Sequence, residues 1–140
     1  MKGTRRELTV VVVIFALTGA SLATECVWGK QFKVRQVCGK VKDWQGAEVP
    51  NATVQLKRRG QSESFAEVRT ASDGSFAVAE VPGGDYEIRV KLSGFWDASQ
   101  GFRVDHPKKS TACSQPIRVV MKVAGQCSYV ENAWKKKDLH

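Results

Sequence analysis

The sequence predicts an all-β fold: an antiparallel-dominated β-sandwich of seven short strands, preceded by a signal peptide helix. Three observations carry that reading. Apolar residues recur at every second position in short runs, as they do along a strand with one buried face. Clusters of Gly, Pro, Asn, Asp and Ser separate the runs, and no helical period follows the first 23 residues. The most legible stretch, Asp73–Val90, puts Phe76 and Val78 two residues apart, then Pro82-Gly83-Gly84, then Tyr86, Ile88 and Val90 at the same spacing. It reads as a hairpin, with the turn residues supplying positive φ and a pre-set proline φ.

The chain opens with Lys2, Arg5 and Arg6, an apolar run Leu8–Leu17, and small residues up to Ala23. That is the pattern of a secretory signal peptide cleaved after Ala23. The run is well short of the roughly 20 residues that cross a bilayer, so no stable membrane insertion is expected after cleavage. Glu25 before Cys26 argues against lipid attachment, which needs a small residue there. Cleavage leaves 117 of the 140 residues, the size of one domain. The removed segment carries three bases and one acid, so net charge falls from +8 to +6. These charges are scattered, and the single run, Lys135-Lys136-Lys137, sits near a terminus where a solvated tail is expected. Nucleic acid is therefore not an expected partner.

Four cysteines follow the leader: Cys26, Cys38, Cys113 and Cys127. An even count in an exported chain implies two disulfides, with three connectivities open. No pair has CxxC spacing, so neither a redox pair nor a metal site is expected.

Taken in order, Phe32–Lys42 reads as one strand-like run, with Val37, Gly39 and Val41 on the core face and Cys38, Lys40 and Lys42 on the other. Burying unpaired lysine is costly, which decides the faces and turns Cys38 outward toward a covering terminal segment. Asp43-Trp44-Gln45-Gly46 is a turn, and Val49-Pro50-Asn51 leads into Ala52–Arg59, with Val54 and Leu56 inward. Ser64–Ala71 turns Ala66 and Val68 inward. After the hairpin, Lys91–Ser99 reads as a loop, Gly101–Asp105 as a short strand and Ile117–Val123 as the last, with Ile117, Val119, Met121 and Val123 inward.

The residues Cys38-Gly39-Lys40-Val41-Lys42-Asp43, Val49-Pro50-Asn51-Ala52-Thr53-Val54, Asp73-Gly74-Ser75-Phe76, and Val81–Val90 followed by Ser93-Gly94-Phe95 carry a resemblance through their order and spacing. Together they resemble the carboxypeptidase regulatory-like domain, a transthyretin-like (prealbumin-like) Greek-key sandwich related to starch-binding-like folds. The resemblance spans roughly residues 36–123. It divides the chain into a signal peptide (1–23), an N-terminal disulfide-linked segment (24–35), the sandwich (36–124) and a C-terminal tail (125–140).

In that family the first and last strands run side by side and parallel. This implies a Cys38–Cys113 bridge, with Cys26–Cys127 tying the terminal segments; Cys26–Cys38 with Cys113–Cys127 stays the alternative. The family usually accompanies enzymes, adhesins or outer-membrane receptors and is not itself catalytic, and no cofactor is implied. His106 and His140 are the only histidines, and no Gly-x-Ser-x-Gly elbow is present. A small hydrolase is thus a remote alternative. The transthyretin-related hydrolases use several histidines, an arginine and a terminal Tyr-Arg-Gly-Ser, whereas this chain ends Lys-Lys-Asp-Leu-His. An isopeptide bond of the adhesin kind has lysines available (Lys40, Lys42) but no asparagine in Ile117–Val123. The expected partner is a protein or glycan at the cell surface or in the periplasm. The residues for stacking a sugar ring are Trp44, Phe95 and Trp96, with Trp28 and Trp134 near the termini. Phe95 falls at the family's Gly-Phe position, which packs as core. Asn51-Ala52-Thr53 is an N-glycosylation sequon.

Overall fold

The structure is a computed structural model that describes residues 31–109, 112–123 and 127–132. Strands β1 (Phe32–Val34), β2 (Val37–Asp43), β3 (Thr53–Arg58), β4 (Ser64–Arg69), β5 (Ser75–Val78), β6 (Gly84–Lys91), β7 (Ala98–Val104), β8 (Ile117–Met121) and β9 (Tyr129–Asn132) form two facing sheets. One sheet is ordered β1-β7-β6-β3-β4 and the other β5-β2-β8-β9. Pairing is antiparallel except for β1 on β7 and β2 on β8. Alternation builds the core as expected. β6 sends Tyr86, Ile88 and Val90 inward, and β3 sends Val54 and Leu56. Val41, Phe76, Ile117, Val119 and Met121 meet them from the opposite sheet. Each such side chain contributes about 1.5–3 kcal/mol on burial. Tyr86 is buried, yet its hydroxyl is satisfied by donating to the Pro82 carbonyl at 3.0 Å.

The hairpin reading of Asp73–Val90 is corrected. β5 is an edge strand paired with β2, whereas β6 lies in the middle of the other sheet between β7 and β3. The turn between them is an arch across the sandwich, with Glu80 at φ 53°. Both strands bury the same core from opposite sides, and alternation reports burial, not the partner.

The strand-like run from Phe32 is likewise two strands, one in each sheet, broken at Arg35-Gln36. Lys91 belongs to β6 and Ala98-Ser99 to β7, which shortens the loop between them. β8 ends at Met121, so Val123 is exposed rather than inward. Within the segment read as a tail, Tyr129–Asn132 pairs with β8 and buries Val130. Nine strands replace seven among the described residues.

The parallel neighbours implied by the resemblance are present as β2 and β8, with Gly39 beside Ile117 and Asp43 beside Met121. A Cβ on Gly39 would run into the Ile117 carbonyl oxygen, so only glycine admits this approach. Cys38 points away from the core and bonds to Cys113, with Cα atoms 5.9 Å apart. That bond excludes the short-loop alternative. Cys127 is also disulfide-bonded. Cys26, the leader peptide, Trp28 and Trp134 lie outside the described residues.

Because the Cys38–Cys113 bridge closes a separation of 75 residues, replacing both cysteines by serine is expected to cost roughly 4 kcal/mol on the chain-entropy model. Urea unfolding of the two forms measures this.

Candidate functional site

The parallel pairing of β2 and β8 sends both strands out of the sheet at the same end. After β2 the chain turns tightly. The Asp43 carboxylate accepts from the Gln45 and Ala47 amides at 2.9 and 2.8 Å, and Gly46 adopts φ 90°. Trp44 is held at the tip, 55% exposed. Lys122 follows β8, and its carbonyl accepts the Trp96 amide at 2.9 Å. The two exposed tryptophans therefore share one end of the sandwich, and Trp96 is 54% exposed. Val123, two residues past the end of β8, is exposed as well.

Ser128, fully buried, fixes this arrangement. Its hydroxyl donates to the Trp96 carbonyl at 2.6 Å and accepts from the Lys122 amide at 2.8 Å. The β6–β7 loop is thus tied to the β8–β9 connection at Trp96. Of the three stacking candidates, Trp44 and Trp96 come together at this end, and Phe95 packs, half-buried, against the core. Ser128 carried no signal in the sequence, because its role depends on two backbones that meet only in the folded sandwich.

The same loop borders an open groove of about 440 Å³ on the outer face of the five-stranded sheet. Register sets its floor: Arg69 on β4 and Lys91 on β6 both stand beside Thr53 on β3. Leu92 and Phe95 add apolar surface, while Asn51, Ser93 and Asp97 complete the wall. Lys91 reaches Asp97 at 4.0 Å. Among the described residues Arg69 has no carboxylate within ion-pair distance.

His106 lies in the connection after β7, at the opposite end. Its side chain is 85% exposed, with Nε2 3.6 Å from Asp105 Oδ1. Asp73 is held well below the usual carboxylate range: hydrogen bonds from the Ser75 hydroxyl and amide, helped by Lys40 Nζ at 3.5 Å, lower its pKa from 3.8 to about 2.

The two facing sheets, the parallel β2–β8 pair and the crossing arch define a transthyretin-like, prealbumin-like sandwich. The model of the family described as "Carboxypeptidase regulatory-like domain" matches residues 36–114, more than half of the chain. The chain belongs to that family. Among solved structures, transthyretin from Sparus aurata is similar with a TM-score of 0.50 at 13% identity, over 71% of this chain and 97% of its own. The 5-hydroxyisourate hydrolase of Klebsiella pneumoniae aligns with a TM-score of 0.49 at 20% identity, over 74% of this chain and 98% of its own. No match was found among curated proteins.

Ser128→Ala leaves the part-buried Lys122 amide and Trp96 carbonyl without their hydroxyl partner. A loss of about 1–3 kcal/mol is expected, with faster hydrogen exchange at the Lys122 amide as the local readout. Asp73 titrates lower in the folded chain than in the unfolded one, so its stabilisation is complete above pH 3.8 and fades as pH falls toward about 2. Unfolding free energies of wild type and Asp73→Asn, followed against pH, are expected to differ above that window and to change relative to one another only within it.

Proposed function

We propose that this chain is an exported, non-catalytic binding domain that engages a protein partner at the cell surface through the end bearing Trp44 and Trp96. The observation that carries the reading is the convergence of two half-exposed tryptophans on one end of the sandwich, Trp96 bonded to the Lys122 carbonyl and Trp44 in the turn that leaves the paired strand β2. Exposed apolar surface gathered in one place marks an interaction site more than scattered residues do. Export rests on the leader pattern of residues 1–23, and the Cys38–Cys113 bridge is of the kind that persists in oxidising compartments. The non-catalytic part rests on His106, which stands exposed at the other end with Asp105 as its carboxylate neighbour among the described residues.

The same convergence favours a second reading, a carbohydrate-binding module that stacks sugar rings on Trp96 and Trp44. The two are separated by photo-crosslinking and glycan arrays. With a photoreactive residue at position 44 or 96, covalent protein adducts are expected in the exporting cell, several-fold above those from position 108 at the far end. Equal or absent adducts overturn the first reading. Saturable glycan-array binding that Trp96→Ala abolishes establishes the second in its place.

A further inference from the structure

We propose that the groove on the outer face of the five-stranded sheet binds an acidic saccharide, held through the carboxylate of a uronate residue. This goes beyond the contact surface proposed above and stands without it, since it uses Arg69 and Lys91 rather than the tryptophans.

The sheet register places the two cations. Arg69 and Lys91 flank Thr53 on the two neighbouring strands, which sets their backbones about 10 Å apart. Both side chains line the same groove. One carboxylate can accept from the flat guanidinium fork on one side and the ammonium on the other, above the Thr53 hydroxyl. Two other cations on this face are matched within the sheet. Arg103 pairs with Asp85 at 3.1 Å and Arg89 with Glu87 at 3.3 Å. Arg69 stands apart from that pattern, with no such partner among the described residues.

Charge and shape then narrow the ligand. Arg69 and Lys91 against Asp97 leave the groove one positive charge in excess. A monoanion matches that balance, whereas a phosphate dianion brings a second negative charge toward Asp97. The Asn51 carboxamide and the Ser93 hydroxyl offer donors and acceptors suited to a polyol. Leu92 and Phe95 supply a modest apolar surface for the C–H face of a pyranose ring. At about 440 Å³ the groove falls in the size range of small-ligand sites.

The test is calorimetric titration of the full mature chain with trigalacturonate. Neutral trigalactose, inorganic phosphate and a triglutamate peptide are run as separate arms, with Arg69→Gln, Lys91→Gln, Asp97→Asn and Trp96→Ala as variants. Saturable binding of trigalacturonate is expected, weakened about tenfold or more by Arg69→Gln or Lys91→Gln, as loss of a charge-assisted hydrogen bond implies. Asp97→Asn is expected to leave binding equal or tighter, and Trp96→Ala to leave it unchanged. Circular dichroism checks that the exposed-site variants fold. No saturation at millimolar trigalacturonate overturns the proposal, as does indifference to both cation variants. Equal binding of trigalactose removes the acidic specificity, and equal binding of phosphate or triglutamate shows a general anion site instead. The first result overturns the acidic part of the assignment and the second the saccharide part, and both leave the tryptophan surface to its own crosslinking test.

Discussion

The arrangement depends on β2 lying parallel against β8. Parallel pairing needs a long crossover, and here the intervening chain builds most of the five-stranded sheet. Two local features hold the pair. Gly39 lets the strands approach where a Cβ would strike the Ile117 carbonyl, and the Cys38–Cys113 bridge fastens the start of β2 to the segment leading into β8. Because the strands point the same way, they leave the sheet together. Trp44 and Lys122 each follow a strand of this pair, directly after the registered residues Asp43 and Met121.

The β6–β7 loop joins this constraint to the candidate surfaces. Phe95 anchors it on the core, the Ser128 hydroxyl holds the Trp96 carbonyl while the Lys122 carbonyl holds its amide, and Asp97 reaches back to Lys91. One short loop therefore presents a tryptophan toward the sandwich end and a carboxylate toward the groove. Loops positioned by a rigid scaffold are where binding residues concentrate. Here the positioning is visible as specific hydrogen bonds rather than inferred from loop location alone.

Much of the fold was legible in the sequence, though unevenly. Turns were read correctly where one side chain closes them: Asp43 caps its own turn, and Asp73 does the same before Gly74, whose positive φ and contact with Val41 both require glycine. Core faces were also read correctly except at Val123, which lies past the end of β8, since alternation records burial directly. Partner choice was not. The stretch from Phe76 to Val90 alternates as a hairpin would, yet its halves belong to different sheets. β9 escaped because four residues with Val130 as the buried contact make too short a pattern. The groove was hidden for a related reason: Arg69 and Lys91 are separated widely in sequence and become neighbours only through Thr53. Asp73–Val90 thus identifies the family while the candidate ligand surfaces lie on what it supports.

The parallel β2–β8 pair is tested most directly by mass spectrometry of a non-reduced digest of the exported protein. A peptide joining Cys38 to Cys113 is the expected result. Cys38 joined instead to Cys26 or Cys127 would contradict the pairing, and with it the placement of Trp44 and Lys122 at one end of the sandwich.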